Sequence, residues 1–161
     1  MTKEDYNSAV KDLSHRLYGF VFKLTKDEED ANDLVQDAFM KLWANRKKVE
    51  LKKAKSWLFT TAYNAFINFI KKSNRQTRMD EGMDISVNAK NRFELKEIID
   101  MAMEKLPELQ KSILLLRDLE GYNYKEIGEM LNLNESQVKV YLFRARKKIK
   151  DQIKDLSILK I

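Results

Sequence analysis

Hydrophobic positions recur along most of this chain at steps of three and four residues, with polar residues between them, which is the pattern of amphipathic helices. Helices are predicted at about residues 6–24, 30–43 and 56–72, and then at about 94–105 and 107–119. Ser56 is the expected N-cap of the third helix, Pro107 suits a first helical turn, and Gly121 suits a helix end. Since no segment shows the alternation of a half-buried strand, the pattern predicts an all-α fold.

A polar segment separates two apolar blocks. Residues 73–92 show weak periodicity around a central glycine, Gly82, and they predict a flexible linker. The chain is therefore expected to form two small helical domains, at residues 1–72 and 93–161. Each domain is near the lower size limit for a self-sufficient core.

Composition narrows the range of functions. The formal net charge of +6, with 35% charged residues, suits a soluble protein that has a polyanionic partner. The chain has no cysteine, and no metal-ligand cluster, glycine-rich phosphate loop or nucleophile–base set is visible in it. We therefore expect neither an enzyme nor a protein with a metal or cofactor. The polar N-terminus and the lack of a long apolar run predict a cytoplasmic protein that is not inserted in a membrane.

The last quarter of the chain, residues 122–150, has the pattern of a helix-turn-helix, and its C-terminal part is the predicted DNA-reading helix. The expected buried stripe of the first helix consists of Tyr124, Ile127, Met130 and Leu131. Asn132 tolerates the left-handed conformation that ends a helix, and Asn134 with Gln137 predicts a capping box for the second helix. The expected buried stripe of that second helix consists of Val138, Leu142, Ala145 and Ile149.

The opposite side of this second helix combines bases, a hydroxyl and apolar groups. It presents Ser136, Lys139, Val140, Phe143, Arg144 and Lys147. A helix that is held by its apolar side and offers such groups outward is suited to the major groove of DNA. Many amphipathic helices are basic outside only for solubility, so an ordinary solvated face is the alternative interpretation.

An acidic stretch leads into the second predicted helix. Residues 27–37 contain six acids and no base, and acids at a helix start are stabilised by the macrodipole. The polar face of this helix carries Asp33, Gln36, Asp37, Met40 and Lys41, and its apolar side carries Leu34, Val35, Ala38, Phe39, Leu42 and Trp43. Because nothing there would raise the pKa of a carboxylate, we interpret the polar face as a protein-docking surface rather than a catalytic pair.

A basic segment, Asn45 to Lys55, joins the second and third helices with six bases against one acid. It is expected to be an exposed loop that contacts phosphates, or simply a solvated loop. The third helix is apolar at Trp57, Leu58, Phe59, Ala62, Phe66, Phe69 and Ile70, and it has a narrow polar stripe of Thr60, Asn64, Asn68, Lys71 and Arg75. Such a stripe either contacts unstacked bases and their backbone or is only the wet side of the helix.

Taken together, these segments resemble a sigma factor of bacterial RNA polymerase, of the compact two-domain extracytoplasmic-function type. DLVQDAFMKLW resembles the family's polymerase-docking helix, and SWLFTTAYNAFINFIKK resembles the helix that engages the minus-ten promoter element. Residues 106–149 resemble the fourth region, which reads the minus-thirty-five element. Their Leu-Pro opening, Arg-Asp-Leu-Glu-Gly bend and Arg-Ala-Arg run keep the family's spacing.

The resemblance implies a role for each surface. Core RNA polymerase would dock on Asp33, Gln36, Asp37, Met40 and Lys41. The minus-ten element would meet Lys52, Lys53, Lys55, Thr60, Asn64, Asn68, Lys71, Lys72 and Arg75. The minus-thirty-five element would meet Ser136, Gln137, Lys139, Val140, Phe143, Arg144 and Lys147. Members of the family capture a flipped promoter base at the position of the basic loop, and an anti-sigma factor is a further expected partner.

Several positions depart from the family's usual residues, among them two on the outward face of the last predicted helix. Serine and histidine, or a similar polar residue, are usual where Val140 and Phe143 stand. Apolar groups at these positions would either meet thymine methyls or be covered by a partner in an inactive state. Asn132 replaces the usual glycine of the turn, which the backbone argument tolerates.

Two other functions compete with transcription initiation. A stand-alone helix-turn-helix regulator would bind duplex DNA without polymerase, but it leaves the docking helix and the polar stripe without a role. A helical protein-binding adaptor would show no salt-dependent DNA binding, and the basic face of residues 139–150 speaks against it.

Overall fold

A computed structural model of the chain describes residues 1–76 and 95–158, and the side chains of residues 1–73 and 97–155. The chain divides into two compact units, Met1–Thr77 and Arg78–Ile161. All regular structure in the described residues is helical, which confirms the all-α prediction. Among the described helices, none combines the length and the apolarity that a bilayer span requires.

The first unit contains three long helices that pack against one another in pairs. These are α1 at Lys3–Thr25, α2 at Glu28–Ala44 and α3 at Ala54–Gln76, with a short 3₁₀ turn at Leu51–Lys53 before α3. Their buried stripes meet in a core of large side chains, in which the rings of Phe20 and Phe59 lie 5.1 Å apart. Burial of these apolar stripes, rather than helix propensity alone, holds the three helices together.

The ends of α1 and α2 are set by local caps. Thr2 and Asp5 form a capping box, so α1 begins three residues before the predicted start. Asp27 caps α2 by accepting a hydrogen bond from the backbone N–H of Asp30 at 2.9 Å. The two helices are joined by Lys26, whose φ of 58° is left-handed and forces a sharp turn.

The start of α3 differs from the prediction. The helix begins at Ala54, directly after the 3₁₀ turn, so Ser56 lies inside its first turn and is not the N-cap. The Ser56 hydroxyl donates instead to the carbonyl of Lys53 at 3.2 Å. The expected exposed loop is therefore partly helical, and it is anchored by the buried side chains of Val49 and Ala54.

The end of α3 also differs from the prediction. The helix continues to Gln76, four residues beyond its predicted end at Lys72. Between Ala54 and Gly82 the chain has no glycine or proline that would stop the helix, and the polar residues after Lys72 tolerate helical geometry. The rest of the predicted linker, residues 77–92, lies outside the described residues.

The second unit is built around its last helix, α7, which packs against α4, α5 and α6. Its helices are α4 at Leu95–Glu104, α5 at Glu108–Leu114, a π-helical segment at Leu115–Leu119, α6 at Tyr124–Leu131 and α7 at Glu135–Ile158. Pro107 lies just before α5 rather than in its first turn, with an extended ψ of 145°. Gly121 ends the π-helical segment with a φ of 74°, which confirms the predicted stop.

Candidate nucleic-acid and partner-binding surfaces

The turn between α6 and α7 has the predicted geometry. Asn132 adopts a left-handed φ of 58° and ends α6, while Leu133 donates its N–H to the carbonyl of Gly128 at 2.8 Å. Asn134 and Gln137 form the predicted capping box, with reciprocal backbone-to-side-chain hydrogen bonds of 2.8 and 2.9 Å. These bonds fix the direction in which α7 leaves the turn, so a helix-turn-helix is present.

The outward face of α7 is exposed as predicted. Val138, Leu142 and Ala145 are buried, and Ile149 is only half-buried. All the residues predicted to face the minus-thirty-five element are exposed, namely Ser136, Gln137, Lys139, Val140, Phe143, Arg144 and Lys147. The helix is therefore held by one stripe and offers the opposite one to a partner, which is the arrangement that a groove-reading helix needs.

An aromatic residue and two ion-pairing residues connect α7 to the rest of its unit. Tyr124, which was predicted to be buried, is half-buried, and its ring lies 4.8 Å from the Arg117 guanidinium and 5.6 Å from the Lys139 ammonium. Arg146 and Asp118 form an ion pair at 2.6 Å between α7 and the π-helical segment. The hydrogen bond to Asp118 raises the pKa of Arg146.

Arg117, Asp118 and Arg146 were not predicted as individual functional residues from the sequence. Their only signal was the Arg-Asp and Arg-Ala-Arg runs, whose spacing brings them within reach once α7 packs on the segment before it. Arg117 also donates to the carbonyl of Tyr122 at 3.0 Å, which ties the chain on either side of Gly121. The Arg146–Asp118 pair ties α7 to the π-helical segment.

The polar face of α2 is available to a protein partner. Asp33, Gln36, Met40 and Lys41 are exposed, and Asp37 is half-exposed. Met40 is 69% exposed, which is unusual for an apolar side chain of its size. Asp37 and Lys41 lie one helical turn apart and form an ion pair at 2.9 Å. The face therefore combines carboxylates with an accessible flexible apolar group, as protein-docking surfaces do.

Trp43 lies beside this face rather than wholly within the core. The prediction placed it on the apolar side of α2, but its ring is partly exposed between two partners. The ring of Tyr6 meets it edge-on at 4.9 Å, and the Arg46 guanidinium lies 3.9 Å from its centre. The cation covers the indole on the solvent side, which explains why a tryptophan is tolerated there.

A concave pocket of about 280 Å³ opens between the basic turn and the start of α3. It is lined by Asn45, Lys48, Val49, Glu50, Lys53 and Trp57. Lys52 and Lys53 are exposed as predicted, and Lys52 pairs with Glu50 at 3.4 Å. Lys55 is half-buried in the first turn of α3. The sequence placed Asn45 in the basic segment and Trp57 on the apolar side of the third helix, but it did not predict that both line one pocket.

The polar stripe of α3 begins at Thr60, three residues after Trp57, which lines the pocket. Asn64, Asn68, Lys71 and Lys72 are exposed, Thr60 is half-buried, and the Arg75 side chain lies outside the described residues. Leu58, Phe59, Ala62 and Phe66 are buried on the core side, but Phe69 is partly exposed, contrary to the prediction. Phe69 follows Asn68 and precedes Lys72 by three residues, so a partly exposed aromatic ring lies at the edge of the polar stripe.

Residues 9–76 match the family described as Sigma-70 region 2, and residues 96–149 match the family described as Sigma-70, region 4. The chain is 32% identical over 140 residues to the ECF RNA polymerase sigma factor SigM of Bacillus subtilis (strain 168), covering 83% of this chain and 86% of that protein. It is 28% identical over 160 residues to the RNA polymerase sigma factor SigV of the same organism, covering 97% and 96%.

A solved structure has the same fold. The sigma factor RpoE, determined in complex with the anti-sigma factor NepR from Bartonella quintana, matches with a TM-score of 0.77 at 24% identity. The match covers 94% of this chain and 98% of that chain. From the two region matches and the sequence relatives, the chain belongs to the extracytoplasmic-function sigma factors of RNA polymerase.

Proposed function

We propose that this protein binds core RNA polymerase, directs it to specific promoters and initiates transcription there, without catalysing a reaction itself. The observation that carries the proposal is the combination, in one chain, of a protein-docking face on α2 and two separate surfaces with the chemistry of nucleic-acid contacts. A simple duplex-binding regulator needs only one of these three surfaces. We place its action in the cytoplasm, where promoters and polymerase meet.

The proposed docking contact is the polar face of α2. Asp33, Gln36 and Asp37 would accept hydrogen bonds from basic or amide groups of the polymerase, and Met40 would bury its exposed side chain against the partner. Burial of one methionine contributes about 1.5–3 kcal/mol, whereas an exposed ion pair contributes about 0–1 kcal/mol. The apolar contact would therefore supply much of the affinity, and the carboxylates would set the orientation.

The proposed contact with the melted minus-ten element involves the basic turn and α3. Lys52, Lys53, Lys71 and Lys72 would follow the phosphates, while Asn64 and Asn68 would hydrogen-bond to the edges of unstacked bases. The pocket beside Trp57 is concave, carries both signs of charge and opens next to these lysines, so it suits a single base turned out of the stack. Capture of such a base would favour strand opening.

The proposed duplex contact is the outward face of α7, on the minus-thirty-five element. Each of the two DNA contacts is small, so each domain alone would bind weakly. When polymerase holds both domains at promoter spacing, the second contact becomes intramolecular, and effective concentration raises the combined affinity by about 10²–10⁴. This bivalence would make promoter binding depend on core polymerase.

We also propose that an anti-sigma factor restrains this protein. The support is the solved relative, which was determined in complex with an anti-sigma factor, and the presence here of exposed apolar groups on two of the three proposed surfaces, Met40 on α2 and Phe143 on α7. A partner that covered either face would block polymerase docking or promoter reading by occupying the same surface.

Run-off transcription tests the proposed function. Purified core polymerase is assayed on fragments of the source genome with and without this protein, and the expected result is initiation at defined sites only when the protein is present. Duplex binding without polymerase and without initiation would contradict the proposal and favour a stand-alone regulator. A folded sample that gave neither result would favour a protein-binding adaptor.

A further inference from the structure

The centre of the outward face of α7 is apolar. Val140 is 45% exposed and Phe143 is 69% exposed, and residues three apart on a helix lie about 5–6 Å from each other on the same side. We call these two residues the apolar pair. Most exposed residues on this face are polar or charged, so two adjacent apolar groups at its centre require an explanation in terms of what they contact.

Cations lie on either side of the apolar pair. The Lys139 ammonium lies 5.6 Å from the Tyr124 ring, toward α6, and the Arg144 guanidinium lies 5.9 Å from the Tyr141 ring. Both groups are thereby associated with aromatic rings of this chain rather than standing straight out from α7. The face thus has an apolar centre and basic margins, and Lys147 adds a further exposed base on its C-terminal side.

This arrangement matches one kind of DNA surface. Basic margins suit the two phosphate backbones that border the major groove, which gives charge complementarity to a duplex. The centre of the face would then meet base edges, and the only apolar group on those edges is the C5 methyl of thymine. Neither Val140 nor Phe143 can donate or accept a hydrogen bond from its side chain, so neither can read guanine, adenine or cytosine by pairing.

We propose that the apolar pair reads thymine in the minus-thirty-five element by contact with the methyl group of the base, an inference that rests on the proposed function. The side chains of the pair are 5–6 Å apart, roughly, and bases along one strand are spaced by about 3.4 Å, so the pair would cover one or two neighbouring thymines. The specificity of this protein at those positions comes from shape and apolar burial, and the cations on the margins contribute affinity that is independent of sequence.

Replacement of thymine by deoxyuridine tests this proposal, because it removes only the methyl group. On a promoter mapped with the holoenzyme, each thymine of the minus-thirty-five element is replaced in turn, and competition binding of the holoenzyme is measured. Loss of one buried methyl is expected to weaken binding about fourfold at one or two positions. Unchanged binding at every position, on a promoter where initiation still depends on the protein, would overturn the proposal and leave the proposed function intact.

Variants identify which residue contacts the methyl. Phe143→Ala and Val140→Ala should each weaken binding to the thymine promoter and lose the uracil effect at the position they contact. Leu119→Ala is the matched control, since Leu119 is 58% exposed on the π-helical segment of the same unit, and this variant should retain the full uracil effect. Equal uracil effects in all three variants would also overturn the proposal. Loss of initiation in the pair variants without any uracil effect would assign the apolar pair to a protein partner instead.

Discussion

The tight turn of the helix-turn-helix predicts an opposite response to the same substitution at two glycines. Gly128 lies in α6, and a Cβ built on it would lie 2.5 Å from the backbone oxygen of Leu133. Ordinary contact begins at 3.4 Å, so this oxygen would have to move by about 0.9 Å, which is the difference between those distances. Because it is a backbone atom of the turn, it cannot rotate away as a side chain would.

The expected cost of Gly128→Ala follows from three contributions. Overpacking costs about 1–3 kcal/mol, and loss of the Leu133 N–H bond to the Gly128 carbonyl costs about 0.5–1.5 kcal/mol. Alanine offsets about 1 kcal/mol of this through its higher helix propensity. We therefore expect the second unit to lose about 0.5–3.5 kcal/mol of unfolding free energy.

Gly19→Ala is the control. Gly19 lies in α1, and a Cβ there would have nothing within 4 Å, so only the propensity gain remains and the first unit should gain up to about 1 kcal/mol. Urea unfolding is measured by tryptophan emission, which reports on the first unit because both tryptophans, Trp43 and Trp57, lie there. Far-ultraviolet circular dichroism reports on the helices of both units.

The expected pattern is specific to each variant. Gly128→Ala should lower a transition seen by circular dichroism without moving the emission midpoint, and Gly19→Ala should raise the emission midpoint. The reasoning would be refuted if Gly128→Ala were as stable as the wild type, because the turn would then accommodate a methyl group that its geometry excludes.

Three further predictions concern the interaction surfaces and the ion pair. Asp37→Lys should weaken binding to core polymerase, measured by competition, by about tenfold, which is roughly 1.4 kcal/mol. The control is Asp12→Lys, an equal charge change at an exposed residue of α1, which should leave binding unchanged. Equal effects of the two variants would remove Asp37 from the interface. If Arg144 reads a base, Arg144→Ala should weaken promoter binding by about 1–3 kcal/mol and relax the preference at one base position. If Arg144 contacts a phosphate, the variant should weaken binding equally on all sequences. Unchanged binding on every sequence would exclude both contacts. Arg146→Ala should lower the free energy of unfolding of the second unit by up to about 1 kcal/mol, because the ion pair between Arg146 and Asp118 is half-exposed. A loss of stability that does not shrink in high salt would contradict an electrostatic origin.

The features of the fold that sequence predicted well are those encoded by neighbouring residues. Asn132, Asn134 and Gln137 identified the turn because their side chains and backbone preferences act over three residues. The buried stripes of α2 and α7 were likewise visible in the spacing of their apolar residues. Both kinds of signal depend only on helical periodicity and local hydrogen bonding.

The features that sequence missed depend on tertiary contacts. Ser56 was the best local N-cap, but burial of Val49 and Ala54 folds the preceding residues into a 3₁₀ turn and starts the helix earlier. Phe69 and Trp43 are apolar and were therefore assigned to the core, although each lies at its edge. Hydrophobicity predicts which residues prefer burial, but it does not say how much of a helix its neighbours cover.

The candidate surfaces follow the same rule as the fold: features set within one helix were predicted, and features that join two elements were not. The residues that the sequence assigned to the outward faces of α2 and α7 are at least half-exposed, because facing away from an apolar stripe is a matter of helical phase. The pocket beside Trp57 and the Arg146–Asp118 pair were not predicted. Each of these brings together residues from two elements, and no periodicity within one segment reports such an approach.

The two stripes of α7 have a consequence for how this protein can diversify. The helix has 24 residues and is about 36 Å long, and it packs against α4, α5 and α6. Residues on the opposite stripe make few of those contacts, so substitutions there would alter the proposed DNA preference with little effect on folding. Gene duplication followed by drift at a few exposed positions would therefore yield a paralogue with a new set of target genes, while the buried stripe keeps the second unit folded and the polar face of α2, in the first unit, stays unchanged.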